Sequence, residues 1–310
     1  MSVPPPLSGA TPPLAEVYDA VLLDLDGVVY LDDQPVLNAP EALRETRERG
    51  LDVTFVTNNA AHTPADVVAR LASLGIAASD TEVMTSSMAA AELLRESLPA
   101  GTAVLVVGGQ GLWSAVAAAG LRPVSTANDG DMPAAVVQGW GPDVAWKNLA
   151  EATVALRGGA RWVATNLDHT LPSPRGPLPG SGSLIAAVET ATGRSPDTVA
   201  GKPYPPLLSA AVKASAGRRP LVVGDRLDTD IAGATRAGLP SLMVLTGVSR
   251  PRDLLAAPPE QRPTYLGRDL TALFTDHDDL DPLRTLAQRA WKGELPASQY
   301  DEALSTLDLN

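Results

Sequence analysis

The chain has 310 residues, enough for one large or two smaller domains, and 45% of them are hydrophobic and 19% charged, as in globular proteins. Its formal net charge of −12, without any run of Lys or Arg, argues against a nucleic acid or an acidic membrane as partner. The absence of cysteine excludes disulfides and thiolate chemistry.

The first 14 residues, MSVPPPLSGATPPL, are rich in proline and small residues. They predict a disordered lead-in and lack the basic and apolar regions of a signal peptide. The uncharged stretch 97–121 is interrupted by Pro99 and by the glycines of 108–111, so it predicts a strand, a turn and a helix, not a membrane span. We therefore predict a cytoplasmic protein.

Short runs rich in Val and Leu alternate with longer helical patterns along the chain. Apolar runs without strict alternation are typical of strands buried on both faces, and hence of a parallel sheet in an α/β fold. Strands are predicted at 20–23, 52–56, 103–107, 134–138, 162–164, 220–223 and 241–245, and helices at 40–49, 64–74, 183–192 and 229–237.

The first predicted strand continues into two acids, Asp24 and Asp26, within VLLDLDGVVY. Residues two apart in an extended chain point the same way, so both carboxylates can face one ligand. Two close carboxylates repel each other, and a divalent cation such as Mg²⁺ removes that conflict. A solvated strand end and a calcium loop are alternatives that this segment alone leaves open.

The second predicted strand ends in Thr57, Asn58 and Asn59, whose hydroxyl and amide groups suit phosphate oxygens. A polar turn before a helix is the alternative, because the segment TPAD at 63–66 has the pattern of a helix N-terminus.

Two further segments carry charge that suits a phosphate site. Lys202 lies in GKP and is one of four lysines among 24 basic residues. Its compact ammonium can neutralise a phosphate oxygen. An exposed turn lysine is the alternative, because it has the same sequence pattern.

The strand at 220–223 leads into GDRLDTD. Here Asp225 is the expected third metal carboxylate, and Asp230 is expected to act from outside the set of metal ligands. The alternative is an acid-rich helix N-terminus, which accounts for Asp228 and Asp230 better than for Asp225.

In this order, DLDG, TNN, GKP and GDRLDTD resemble the four motifs of the haloacid-dehalogenase superfamily of phosphatases, over about residues 19–247. TNLDHTLP at 165–172, PGSGSLIAAVETATGR at 179–194 and GKPYP at 201–205 are similar to the subfamily with a large α/β cap, which includes NagD-like and p-nitrophenyl-phosphatase-like proteins. AGKP, VVGDRLDTDI and AGLPSLMVLTGV resemble actinobacterial glycerol-3-phosphate phosphatases in particular.

The resemblance implies a Rossmann-like, doubly wound parallel-sheet core with an inserted α/β cap domain. We predict a disordered lead-in at 1–14, a core formed by 15–87 and 199–275, a cap at 88–198 and a helical tail at 276–310. The resemblance also allows a homodimer through the cap.

For activity, the resemblance implies a Mg²⁺-dependent phosphomonoesterase that acts on a small phosphorylated metabolite through an aspartyl-phosphate intermediate. Asp24 would be the nucleophile, and Asp26 would protonate the leaving alkoxide and later deprotonate water. Thr57 and Lys202 would hold the phosphoryl oxygens. Asp24, the backbone carbonyl of Asp26, and Asp225 would bind Mg²⁺.

By the same resemblance, Asn166, Asp168, His169 and Leu171 lie in the cap loop that covers the leaving group. Relatives acting on pyridoxal phosphate tend to carry a histidine before the proline of this loop, and those acting on small aliphatic phosphates a leucine. Leu171 therefore predicts glycerol 3-phosphate as the preferred substrate. The alternative is a broad-specificity sugar or nucleotide, phosphoglycolate or pyridoxal phosphate phosphatase of the same family.

Other functional classes fit the sequence less well. VLVVGGQGLWS at 104–114 is an incomplete dinucleotide-binding motif, because Ser114 occupies the position of its last glycine. A non-catalytic phosphate-binding protein would usually have lost one of the acids or the lysine. A dehalogenase or phosphonatase would share the fold, but a dehalogenase needs neither Asp26 nor a metal. The three histidines have no zinc spacing.

Overall fold

The computed structural model describes residues 3–128, 132–171, 173, 175–275 and 279–307. Its strands are β1 (Ala20–Leu23), β2 (Tyr30–Leu31), β3 (Gln34–Pro35), β4 (Asp52–Thr57), β5 (Val83–Thr85), β6 (Ala103–Val107), β7 (Arg122–Val124), β8 (Ala135–Gln138), β9 (Arg161–Ala164), β10 (Thr170–Leu171), β11 (Leu178–Pro179), β12 (Thr198–Val199), β13 (Pro220–Gly224), β14 (Ser241–Val244) and β15 (Tyr265–Gly267).

The α-helices are α1 (Leu14–Val17), α2 (Ala39–Glu48), α3 (Pro64–Ser73), α4 (Ser86–Ser97), α5 (Gln110–Ala118), α6 (Trp146–Arg157), α7 (Ser181–Thr192), α8 (Pro205–Ala214), α9 (Ala232–Ala237), α10 (Pro251–Ala256), α11 (Asp281–Trp291) and α12 (Tyr300–Ser305). Short 3-10 helices lie at Asp80–Glu82, Pro259–Gln261, Leu270–Leu273 and Ala297–Gln299, and a π-helical turn lies at Leu227–Ile231.

The chain divides into two compact units, and the second is inserted into the first along the sequence. The first unit comprises Met1–Val56, Leu71–Ala77 and Ala211–Asn310, and the second comprises Thr57–Arg70 and Ala78–Ala210. The predicted cap at 88–198 falls wholly within the second unit, whose limits are wider. The predicted domain limits remain a prediction.

In the first unit, five strands are hydrogen-bonded in the order β15-β14-β13-β1-β4, all of them parallel. β1 and β13 are adjacent, with Ala20 opposite Pro220 and Leu23 opposite Val223. Every residue of both strands is buried, which explains why their sequences are apolar without alternation. Because the two strands are parallel neighbours, their carboxyl ends lie side by side.

The second unit has its own sheet of five parallel strands, in the order β12-β9-β8-β6-β7. One face of this sheet forms a core with α6 and α7, in which Trp162 packs with Leu156 and Ile185. An antiparallel hairpin formed by β10 and β11 follows β9, with Leu171 opposite Leu178. The predicted specificity loop therefore continues from a buried strand into a hairpin.

Two residues of the N-terminal lead-in contact the rest of the first unit, while the disorder predicted for 1–14 as a whole stays a prediction. Leu7 N–H donates to the Pro263 carbonyl oxygen at 3.0 Å, and Ser8 N–H donates to the Thr264 carbonyl oxygen at 2.8 Å. Leu7 is buried in an apolar cluster of the first unit. One leucine among the prolines thus finds an apolar surface, and composition alone does not reveal that contact.

The C-terminal tail joins the same apolar cluster. Leu283 of α11 and Tyr300 of α12 are buried there with Leu227 and Ile231, the two ends of the π-helical turn. The helices α11 and α12 of the tail, for which the sequence indicated only helical structure, are therefore part of the core of the first unit.

The predicted α/β class with parallel sheets is confirmed, and each of the seven predicted strands is present to within one residue at either end. The helix expected at 229–237 differs, because a π-helical turn precedes α9. Short strands such as β5, β12 and β15 were not predicted. Across the described residues, no helix combines the length and apolar character that a membrane crossing requires.

Candidate active site

Asp24 and Asp26 follow β1 in different environments. Asp24 is half-buried and its N–H continues the ladder to β13, donating to the Val223 carbonyl oxygen at 2.9 Å. Asp26 is exposed. The next residue, Gly27, has a φ of +86°, which favours glycine, and its N–H donates to the Tyr30 carbonyl oxygen at 2.8 Å. The chain therefore turns sharply just beyond the two acids.

Asp225 lies at the equivalent place after β13, and Asp230 lies one turn further in the π-helical segment. Asp225 is 0% exposed and Asp230 is 1% exposed. Since ligands of open parallel sheets bind beyond the carboxyl ends of the strands, these side chains occupy the expected edge of the sheet.

Asp24, Asp225 and Asp230 form one group, which we call the acid cluster. One carboxylate oxygen of each lies within 4.8 Å of those of the other two. Buried carboxylates this close repel each other unless a cation or protons compensate their charge. Oxygen-only ligand sets of this kind suit Mg²⁺, so the residues fit the predicted metal.

Backbone N–H groups hold the two buried acids from neighbouring loops. Val248 N–H donates to Asp225 Oδ2 at 2.6 Å, and Arg226 N–H donates to Asp230 Oδ2 at 3.1 Å. Ser249 N–H also donates to the Asp225 carbonyl oxygen at 3.2 Å. Such charge-assisted bonds fix the orientation of each carboxylate.

Three glycines leave room for the acid cluster. A Cβ at Gly27 would lie 2.6 Å from Asp225 Cγ, and a Cβ at Gly247 would overlap Asp225 Oδ2. A Cβ at Gly224 would lie 2.6 Å from Asp230 Oδ2 and closer still to the rest of that side chain. Real Cβ atoms do not approach other atoms so closely, so glycine is required at these positions for steric reasons.

The structure therefore brings together two of the predicted metal residues, Asp24 and Asp225, and adds Asp230, which was predicted to act from outside the ligand set. The carboxylate of Asp26 is not in the cluster, and metal binding by its backbone oxygen stays a prediction. Asp228 lies apart, pairing with Arg226 at 2.8 Å.

The sequence did not predict the roles of Gly247 and Val248 at this site. The sequence signal that could have indicated them was a glycine shortly after the predicted strand 241–245.

Thr57 is the last residue of β4, and the two asparagines follow it directly. Thr57 is 3% exposed, and its Oγ1 accepts from Asn59 N–H at 3.0 Å. The side chain of Asn59 is exposed, and its Oδ1 accepts from Ala61 N–H at 2.9 Å. The proposed phosphate contacts of these three residues stay a prediction.

Lys202 is 4% exposed, and its backbone contacts Asn58. Lys202 N–H donates to Asn58 Oδ1 at 2.8 Å, and Asn58 Nδ2 donates back to the Lys202 carbonyl oxygen at 3.0 Å. Lys202 is therefore not the exposed turn lysine of the alternative interpretation. Its backbone is held by a residue 144 positions earlier in the chain.

The predicted specificity loop contacts the same asparagine. Asn58 Nδ2 donates to Asp168 Oδ2 at 3.1 Å, and Asn166 Nδ2 donates to the Asn58 carbonyl oxygen at 2.8 Å. His169 is exposed, and its carbonyl oxygen accepts from Gly180 N–H at 2.8 Å. Leu171 lies in β10, within the hairpin. The substrate contacts expected for these four loop residues remain a prediction.

Two family models match the chain: the haloacid dehalogenase-like hydrolase model at residues 21–122 and the HAD-hydrolase-like model at residues 199–273. A D-glycerol 3-phosphate phosphatase of Mycobacterium tuberculosis is 50% identical over 279 residues, which are 90% of this chain and 76% of that protein. An acid sugar phosphatase of Staphylococcus epidermidis is 34% identical over 84% of this chain and 98% of its own.

Solved structures agree with these matches. The glycerol phosphate phosphatase of M. tuberculosis in complex with magnesium has a TM-score of 0.88 at 43% identity, covering 96% of this chain and 99% of its own. A p-nitrophenyl phosphatase from Archaeoglobus fulgidus has a TM-score of 0.74 at 29% identity, covering 83% and 98%. The resemblance drawn from the four motifs is confirmed: the chain belongs to the haloacid dehalogenase-like hydrolases.

Proposed function

We propose that this hydrolase is a Mg²⁺-dependent phosphomonoesterase and that its preferred substrate is glycerol 3-phosphate. The observation that carries the proposal is the acid cluster, in which three carboxylates lie within 4.8 Å of one another after two adjacent parallel strands. The relatives described above, a D-glycerol 3-phosphate phosphatase and an acid sugar phosphatase, support the substrate class.

Mg²⁺, held by Asp24 and Asp225 with Asp230 beside them, would offset the negative charge that otherwise opposes the approach of a phosphate ester. A carboxylate oxygen of Asp24 attacks phosphorus, and the bond from phosphorus to the ester oxygen breaks. The leaving alkoxide takes a proton from the carboxyl group of Asp26. This first half leaves an aspartyl phosphate on Asp24 and a free alcohol.

In the second half, the carboxylate of Asp26 takes a proton from a water molecule, whose oxygen attacks phosphorus. The bond from phosphorus to Asp24 breaks, which releases inorganic phosphate and restores both acids. The exposure of Asp26, in contrast to the half-buried Asp24, suits a group that exchanges protons with water. Thr57 and Lys202 are proposed to hold phosphoryl oxygens on the strength of their motifs.

The substrate preference rests on Leu171, which offers no imidazole to a pyridoxal ring. One methylene contact changes kcat/KM by about 10–200-fold. We expect the preference for glycerol 3-phosphate over pyridoxal phosphate to be larger than that, because a whole ring must be excluded. The measurement compares both compounds and phosphoglycolate, with and without Mg²⁺. Leu171→His should raise the relative rate on pyridoxal phosphate, whereas Leu37→His, at an exposed leucine of the first unit, should not.

Equal turnover of pyridoxal phosphate and glycerol 3-phosphate by the unaltered enzyme would overturn the substrate assignment and leave the phosphatase assignment standing. The cytoplasmic location and the homodimer through the cap remain predictions.

A further inference from the structure

Asn58 makes five hydrogen bonds that connect three separate parts of the second unit. Its side chain forms a reciprocal pair with the backbone of Lys202. The same side chain donates to Asp168. The backbone carbonyl oxygen of Asn58 accepts from Asn166 Nδ2 and, at 2.7 Å, from the Ser86 hydroxyl. One residue therefore contacts the segment around the predicted phosphate-binding lysine and the predicted specificity loop.

The two donors of the Asn58 amide are both engaged. Nδ2 donates to the Lys202 carbonyl oxygen at 3.0 Å and to Asp168 Oδ2 at 3.1 Å. A primary amide carries two N–H groups, so these bonds use both of them. The orientation of the amide follows from its partners, because only the nitrogen can face a carboxylate and a carbonyl oxygen.

The backbone before Lys202 is shaped to admit this amide. A Cβ at Gly201 would lie 2.6 Å from Asn58 Oδ1 and 2.6 Å from the Thr165 carbonyl oxygen. Gly201 N–H donates to that same carbonyl oxygen at 2.7 Å. Glycine at 201 thus permits the close approach between Asn58 and the lysine segment.

We propose that the Asn58 side chain is a positioning group, in place of the phosphate ligand that the sequence predicted. Its amide fixes the backbone of Lys202 and connects it to the loop of Asn166 and Asp168. The role of Lys202 in this account rests on the proposed phosphatase function. Because Asn58 bonds to both segments, a displacement of the loop is transmitted to the lysine segment through one side chain.

The first experiment measures amide exchange at Lys202 and needs no activity. In Asn58→Leu the Lys202 N–H loses its acceptor, so its exchange should become about tenfold faster or more. Asn148→Ala is the matched control in the same unit, since Asn148 Oδ1 accepts a local hydrogen bond from Ala145 N–H at 2.9 Å. Unchanged exchange at Lys202 in a folded Asn58→Leu protein would overturn the proposal.

The second experiment separates positioning from substrate binding by kinetics. Asn58→Leu should lower kcat about tenfold or more with a smaller change in KM, because the lysine acts on the transferring phosphoryl group. A raised KM at unchanged kcat would instead assign the amide to substrate binding and refute the positioning role. Asn148→Ala should leave both constants unchanged.

A charge exchange provides a third test should Asn58→Leu not fold. Asn58→Asp keeps the side-chain shape but places a carboxylate against Asp168, whereas Asn58→Asp with Asp168→Asn restores a donor between them. The double variant should be several-fold more active than Asn58→Asp alone, an effect that independent sites do not show. If the activity losses of Asn58→Asp and Asp168→Asn simply multiply in the double variant, the result would count against the proposal.

If the unaltered protein hydrolyses no phosphate monoester, the proposed function fails, while the exchange result at Lys202 still decides the positioning role.

Discussion

The acid cluster of the first unit and the Asn58 contacts of the second are held in place by different means. In the acid cluster, the carboxylates accept from the N–H groups of Val248 and Arg226 and lie against glycines that leave no room for a side chain. Around Asn58, a single amide provides the bonds between segments distant in sequence. The first arrangement depends on backbone shape, and the second depends on one side chain.

This difference predicts different responses to substitution. Adding atoms should damage the acid cluster most, because its backbone donors cannot be removed by changing a side chain. Removing atoms should damage the Asn58 contacts most, because the bonding groups belong to the side chain itself. The following three substitutions test this contrast, in order of their expected effect on activity.

The largest effect is expected for Gly247→Ala, because its Cβ would overlap Asp225 Oδ2. Asp225 must move, and we expect a loss of about 100-fold in Mg²⁺ affinity or activity, the upper end of what changes around metal ligands cause. Titration of activity against Mg²⁺, with circular dichroism to confirm folding, measures it. Gly9→Ala is the control, since a Cβ there meets nothing within 4 Å. An unaltered Mg²⁺ requirement in folded Gly247→Ala would show that the room left by this glycine is unimportant for the metal site.

A smaller effect on activity is expected for Leu283→Ala, which removes packing from the turn that carries Asp230. Leu283 is fully buried with Leu227 and Ile231, the ends of the turn that carries Asp230. Its truncation should lower the free energy of unfolding by about 2–5 kcal/mol, as other buried leucines do. At temperatures where the protein stays folded, KM should be unchanged.

Denaturant unfolding provides the measurement, and Leu37→Ala is the matched control because Leu37 is 78% exposed. We expect that control to change the unfolding free energy by less than about 0.5 kcal/mol. Similar losses in both variants would show that the tail does not support this core.

The smallest effect is expected for Thr63→Ala. This substitution removes hydrogen bonds between Thr63 and Asp66 in the second unit and leaves those of Asn58 in place. Thr63 Oγ1 donates to Asp66 Oδ2 at 2.7 Å and accepts from Asp66 N–H at 3.2 Å, as in a capping box. These bonds, with the Thr63 backbone N–H, hold the pKa of Asp66 below its usual value. The substitution should raise that pKa and cost about 1 kcal/mol of stability.

The sign of the pH dependence follows from this lowered pKa. The carboxylate of Asp66 stabilises the folded state above the pKa it has when unfolded, and this contribution is lost as the pH falls through its lower folded pKa. An NMR titration of Asp66 in both proteins checks the direction. A pKa that does not move in Thr63→Ala would assign the shift to other groups.

The sequence contains the information for the strands and for the acids that follow them, because both are local patterns. Val/Leu runs locate β1 and β13, and Asp24 and Asp225 directly follow them. Short strands such as β15, with three residues, carry too little periodicity to be recognised. The contact between Asn58 and Lys202 spans 144 positions, so no local pattern contains it. The membership of Asp230 in the acid cluster likewise depends on a π-helical turn that the acid spacing did not indicate.

The most direct test of the central claim is phosphate release from glycerol 3-phosphate by Asp24→Asn in the presence of Mg²⁺. The amide cannot attack phosphorus, so turnover should be lost while circular dichroism remains that of the unaltered protein. Asp26→Asn, measured alongside, should fold equally well and slow the departure of the leaving group. Substantial phosphate release by a folded Asp24→Asn protein would contradict the proposed aspartyl-phosphate mechanism.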